Sequence, residues 1–144
     1  LSRGLGDVYK RQKQSVVELE HRMKDLAEII KYAEQYKENR SYHIAYKKSK
    51  NPDAYFRRYE SQIILYGGAR RMLEQAGINL KGLNVDKLKA EYQELMKQKS
   101  ELTSTYKDCE KEVRELKRKQ ENLNQYLRKN MPTTQDIKNR QQSL

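Results

Sequence analysis

Any chemistry on this chain would have to come from positive charge and from tyrosine. Residues 37–58 hold Lys37, Arg40, Lys47, Lys48, Lys50, Arg57 and Arg58 against Glu38 and Asp53, a net charge of +5 in 22 residues. Tyr42, Tyr46 and Tyr55 are interleaved with these cations, and Arg70 and Arg71 follow a little downstream. Cations at this density neutralise phosphates and release counterions, which gives salt-dependent, sequence-tolerant nucleic-acid binding. Exposed aromatic rings can stack on unpaired bases. Lys47, Lys48, Lys50, Arg57, Arg58, Arg70 and Arg71 are therefore candidate DNA contacts, and Tyr42, Tyr46 and Tyr55 candidate stacking platforms. A solvated helix face with its tyrosines turned into a core has the same pattern, and both readings stand at this level.

Other chemistries find less support. A tyrosine nucleophile needs a metal or a cationic cluster to activate and orient a phosphate, but His21 and His43 lie 22 residues apart with no carboxylate motif between them. One cysteine, Cys109, and no CxxC leave too few ligands for zinc. Gly67-Gly68, set between Ile63-Ile64-Leu65-Tyr66 and Ala69-Arg70-Arg71, could form a phosphate-cradling turn before a helix. The spacing of a dinucleotide or P-loop motif is missing, so a helix whose small residues admit a close neighbour fits better. The triplet Lys117-Arg118-Lys119 suits the outward positions of a coiled coil. The expectation is a chain with no catalytic centre, no metal and no cofactor.

The elements that must position these residues follow from composition and spacing. Leu, Ile, Val and Phe make up 28 of the 144 residues, and the net charge is +11. That places the chain at the border of disorder, where these four types fall below about 20%. Ala, Glu, Lys, Arg and Leu together number 67, close to the roughly one-half typical of long helices and coiled coils. So few aliphatic residues cannot both build a core and line a deep catalytic pocket. No stretch approaches the roughly 20 apolar residues of a membrane-spanning helix.

Periodicity decides for helix. Val16, Leu19, Met23, Leu26, Ile30 and Ala33 alternate steps of three and four, an unbroken heptad seam. A longer seam runs Leu88, Tyr92, Leu95, Lys99, Leu102, Tyr106, Cys109, Val113, Leu116, Gln120, Leu123, Leu127. Lys99 and Gln120 are its polar steps, and Cys109 reads there as a small buried hydrophobe. Between the seams, Asn51-Pro52-Asp53 is a helix start, Phe56, Tyr59, Ile63, Tyr66 and Leu73 share a face, and Gly77 supplies the stop. Asn84 can cap the last helix, and Pro132 marks its end.

The predicted helices span about 15–48, 52–76 and 85–130. At 1.5 Å per residue the last is roughly 70 Å long and the first roughly 50 Å. An all-α architecture follows, with an antiparallel coiled-coil stem, about 16–33 with 106–127, capped by a tyrosine-rich helical tip. Residues 15–130 form a single helical domain in this reading, and residues 131–144 a flexible tail.

Two resemblances add to this. Residues 1–12, LSRGLGDVYKRQ, resemble a translated sequencing adapter of the kind fused to open reading frames in metagenomic assemblies. That resemblance implies that residues 1–14 are an artefactual or disordered leader and that the natural gene continues upstream of Lys13. Second, YFRRYESQIILYGGA at 55–69, TYKDCEKEV at 105–113 and NLNQYL at 122–127 resemble the C-terminal helical region of relaxases, the mobilisation nucleases of conjugative and mobilisable elements in Gram-positive bacteria. Such enzymes carry a nucleophilic tyrosine and a histidine-bound metal in an N-terminal domain that has no counterpart here, so no catalytic residue carries over. The resemblance implies a non-catalytic accessory region in the bacterial cytoplasm that engages DNA, single-stranded DNA included, or mobilisation accessory or transfer-channel proteins. The alternative is a coiled-coil interaction module with no direct DNA contact.

Overall fold

The computed structural model describes residues 2–131 and 134–142, and all its regular elements there are helical. Helix α1 spans Ser2–Lys48, α2 Pro52–Arg58, α3 Glu60–Gln75, α4 Val85–Asn130 and α5 Thr134–Gln142, with a single 3-10 turn at Leu80–Gly82. The chain divides into two compact units, one of residues 15–102 and one of the described residues of 1–14 and 103–144.

In the unit of residues 15–102 the first seam does what its spacing predicts. Leu19, Met23 and Ala33 are buried, because a heptad repeat keeps one stripe of a helix facing its neighbour. Leu19 and Met23 form a core with Leu95, packed round by Leu26, Tyr92 and Leu102. Lys89 Nζ lies 2.7 Å from Glu34 and Lys99 Nζ 3.6 Å from Glu20 at the margins of this seam. Both pairs are solvent-exposed, so water and salt screen them and they add little to stability.

The partner of the first seam therefore differs from the expectation. Residues 19–26 pack on 92–102, not on 106–127. The reason lies in α1 itself, which is a full helix from Ser2 instead of starting near Ser15. In the second unit its leading turns take the place next to 103–109. There the Tyr9 and Tyr106 rings stack with centroids 5.1 Å apart, their hydroxyls 3.1 Å apart. Cys109 is buried, its Sγ 4.0 Å from the Leu5 carbonyl oxygen. The hydrogen bond to Tyr9, with burial, pushes the Tyr106 hydroxyl up to about 12. The leader expected to stand outside the fold is thus helical from Ser2 on; Leu1 lies outside the described residues. The tail expected to be mobile carries α5, whereas Pro132, Thr133, Ser143 and Leu144 lie outside the described residues.

The middle segment shows how local sequence sets chain direction. Asn51 Oδ1 accepts the Ala54 N–H at 3.3 Å and Pro52 opens α2, as the Asn-Pro-Asp signal predicts. The single helix expected over 52–76 is bent at Tyr59, whose φ of −119° leaves the helical range and separates α2 from α3. Helical bonds continue on both sides, with Tyr59 N–H donating to the Tyr55 carbonyl and Ile63 N–H to that of Tyr59. The Tyr59 ring at the bend is held between Tyr42 and Tyr55. Ile63, Tyr66, Ala69 and Leu73 form the buried face of α3.

Helix α3 ends as Gly77 requires. Gly77 has φ +76°, its N–H donates to the Glu74 carbonyl, and the Ile78 N–H reaches back to Leu73. This pair of bonds is a Schellman motif, which needs a residue in the left-handed region. Asn84 Oδ1 then caps α4 by accepting the Lys87 N–H at 3.1 Å.

Gly67 and Gly68 lie inside α3, so no strand or phosphate turn forms there. Nor do they admit a close neighbour: a Cβ at Gly67 would meet nothing within 4 Å, and one at Gly68 only the Arg71 guanidinium at 4.0 Å. Two opposite outcomes are expected. Gly67→Ala with Gly68→Ala should stabilise the protein by about 2 kcal/mol, since each glycine in a helix interior costs about 1 kcal/mol relative to alanine. Gly77→Ala should destabilise it by about 1–2 kcal/mol, the cost of a Cβ in the left-handed region. Thermal melts of the two variants, moving in opposite directions, check both.

Candidate nucleic-acid interface

The end of α1 and the short α2 bring five of the predicted cations onto one connection. Lys47 and Lys48 form the last turn of α1, Lys50 lies between the helices, and Arg57 and Arg58 form the last turn of α2. All five are exposed. Cations in a last turn also complement the helix dipole, worth about 0.3–1 kcal/mol each, so these residues have a structural role as well as an electrostatic one. The Arg57 Nε–H donates to the Asp53 carbonyl at 3.3 Å, and the Arg58 guanidinium lies 5.4 Å from the Tyr59 ring centroid. Among the described residues none of the five forms an ion pair.

The three predicted stacking residues are half-buried, and each ring lies against another aromatic ring of this chain. Tyr42 is 5.1 Å from Tyr59, Tyr46 is 5.8 Å from Phe56, and Tyr55 is 4.7 Å from Tyr59, all tilted. Tilted pairs at these separations are favourable packing in their own right. One part of each ring therefore serves the connection itself, and only the remaining surface can meet a base. Burial and the neighbouring Tyr59 and Tyr42 hydroxyls raise the Tyr55 pKa.

Arg70 and Arg71 are exposed on α3. Arg70 Nε is held by Glu74 Oε1 at 3.0 Å, a pair that raises the arginine pKa further. Arg70 thus belongs to a different surface from Lys50 in its contacts: it lines a cleft with Tyr36, Arg40, Glu74, Asn79 and Lys81. Spacing along the chain did not indicate Arg40 and Lys81 as partners of Arg70, because the reversal at Gly77 is what brings them together. The triplet Lys117-Arg118-Lys119 is exposed on α4 in the second unit.

The core below Arg70 contains an aromatic stack that sequence patterning did not anticipate. His43 lies 4.4 Å from the Tyr66 ring and Tyr36 lies 4.9 Å from it, both nearly parallel. Desolvation lowers the His43 pKa, with Lys47 and Arg70 adding repulsion. Folding therefore favours neutral His43, which contributes stability above its ordinary pKa of 6.5, and that contribution is lost as pH falls below this value. His43→Phe should accordingly flatten the fall in stability as pH drops below about 6.5, as followed by urea melts at several pH values. His21, by contrast, is exposed on α1.

Among the described residues, no group of three or more His, Cys, Asp or Glu side chains is placed to hold a metal ion. No helix of the described residues is long and apolar enough to cross a membrane. Compared with protein families, curated proteins and solved structures, the chain matches none.

Proposed function

We propose that this chain is a non-catalytic helical accessory region that holds DNA by its phosphates, as the C-terminal region of a mobilisation relaxase in a bacterial cytoplasm would. In this reading the packed segments 19–26 and 92–102 are a stem within the unit of residues 15–102, and the tyrosine-rich connection around α2 is the DNA-facing part of that unit. The observation that carries it is the group Lys47, Lys48, Lys50, Arg57 and Arg58, exposed at one connection without an ion pair among the described residues. Unpaired cations on a short arc favour counterion release over fixed-base recognition. Fluorescence anisotropy with labelled single-stranded and duplex oligonucleotides tests it. Binding is expected at 50 mM salt and should be largely lost at 200 mM; no binding at 50 mM would overturn the reading.

A second reading, an interaction module without DNA contact, is favoured by one specific feature of α4. The second seam loses its cover toward the C-terminus: Leu116, Leu123 and Leu127 are 42%, 56% and 43% exposed. The occupant this seam fits is the same seam of a second copy, running parallel. Leu116 and Leu123 then meet their equivalents, Gln120 forms one polar layer that sets register, and Glu112 faces Lys117 of the other copy across the seam. Sedimentation velocity at several concentrations separates the readings. A concentration-dependent dimer lost in Leu123→Glu supports this one, and a monomer throughout excludes it.

A further inference from the structure

The cleft beside α3 gathers polar groups from three segments of chain. Tyr36 and Arg40 lie one turn apart on α1, Arg70 and Glu74 one turn apart on α3, and Asn79 and Lys81 come from the turn that follows Gly77. The cleft has a volume of about 630 Å³, within the roughly 300–1,000 Å³ of small-ligand pockets. Asn79 Oδ1 accepts the Lys81 N–H at 3.1 Å, which fixes the turn that presents Lys81. Glu74 holds the Arg70 Nε–H at 3.0 Å, which orients a guanidinium that carries five N–H donors and leaves the others for a ligand. Among the described residues neither Arg40 nor Lys81 forms an ion pair.

Arg70 acts on two neighbouring groups, Tyr66 and His43. Arg70 and Arg40 both act to favour the ionised form of the Tyr66 hydroxyl, against the raising effect of burial and of the Tyr36 hydrogen bond. Arg70 also opposes protonation of His43. Positive charge from two helices therefore converges at the wall formed by Tyr36, whose ring is braced by its stack on Tyr66. Planar guanidinium forks suit the tetrahedral oxygens of a phosphate, and a braced aromatic wall suits the attached nucleoside.

We propose that this cleft is a phosphate-binding site for a nucleotide, with Arg40, Arg70 and Lys81 as the anion's partners and Glu74 as the competing carboxylate that keeps Arg70 in place. A free mononucleotide and the end of a strand present the same group. The cleft lining shares no residue with the Lys47, Lys48, Lys50, Arg57 and Arg58 group, so the two proposals are tested on different residues.

The test uses the full chain and follows backbone and arginine side-chain NMR signals during titration. The probes are inorganic phosphate, a thymidine 5′-monophosphate and a 5′-phosphorylated oligothymidylate. Saturable shifts at Arg40, Arg70 and Lys81 are expected. Glu74→Gln should tighten phosphate by about fivefold, the effect of one repulsive charge roughly 4 Å away. Glu60→Gln, on the same helix but outside the cleft, should leave it unchanged. Arg40→Gln with Lys81→Gln should weaken binding at least about tenfold by the same scale. Shifts with the mononucleotide but not the oligonucleotide would assign the site to free nucleotides and, together with absent anisotropy changes, count against the DNA reading alone. Equal responses of Glu74→Gln and Glu60→Gln, or shifts confined to Lys47 and Arg57, would overturn the proposal. Glu74→Gln predicts a gain, so misfolding cannot imitate its success.

Discussion

Replacing Lys47, Lys48, Arg57 and Arg58 with alanine should weaken binding of a single-stranded oligonucleotide on the order of 10²-fold or more at 50 mM salt. Each phosphate contact on a single strand contributes about 0.7 to the slope of log affinity against log salt, so four contacts contribute about 3. The difference between the two proteins should therefore shrink as salt rises, and the variant should show the shallower slope. That dependence separates a direct contact from a general charge effect. Lys117, Arg118 and Lys119 replaced by alanine remove a similar charge from the second unit and should change the slope by less than 1. The four residues also close the last turns of α1 and α2, so circular dichroism on the same samples must show that helix content is retained. An unchanged salt slope in the fourfold variant, with helix content intact, would place the binding surface elsewhere.

These residues could be picked from the sequence because charge density is a local property. The same is true of the caps. Asn51-Pro52, Gly77 and Asn84 act on backbone groups within four residues, and all three terminate or start helices where their chemistry indicates. The apolar stripe of α1 was legible for a related reason: Leu19, Met23 and Ala33 are buried because a heptad fixes which face turns inward. It does not fix what that face meets. Sliding one heptad helix past another by seven residues restores every apolar match, so spacing alone cannot distinguish 92–102 from 106–127 as the partner of 19–26. Here the choice follows from the length of α1, and the expectation omitted the turns that carry Leu5 and Tyr9.

The cleft was illegible for another reason. Arg40, Arg70 and Lys81 are far apart in sequence and share no spacing rule. They meet because α3 packs its Ile63, Tyr66, Ala69 and Leu73 face inward and then reverses at Gly77. Tyrosine count misled in a subtler way. Tyr42, Tyr46 and Tyr55 carry the right chemistry for stacking on bases, yet each meets an aromatic partner in the chain first. A region with one phenylalanine and few aliphatic residues must build its packing from phenol rings, and that demand competes with any external use of them.

The largest stability effect is expected from Leu73→Ala, at about 2–5 kcal/mol. Leu73 is fully buried, with 0% exposure, on the last inward turn of α3 before the Schellman motif. Its carbonyl also accepts the Ile78 N–H, so the side chain and the helix stop share one point of attachment. Removing the side chain leaves a cavity in a unit whose buried set is small. Leu123→Ala deletes the same atoms from α4, where the side chain is 56% exposed, and should cost less than about 0.5 kcal/mol in a monomer. The pair makes a chemical control, one residue type in two environments. Urea unfolding at low protein concentration should give the first a much lower midpoint and the second a nearly unchanged one. Repeating it at high concentration adds a decision: if Leu123→Ala becomes destabilising there, the exposed seam is buried between copies, because only an associated state gives that leucine a partner to lose.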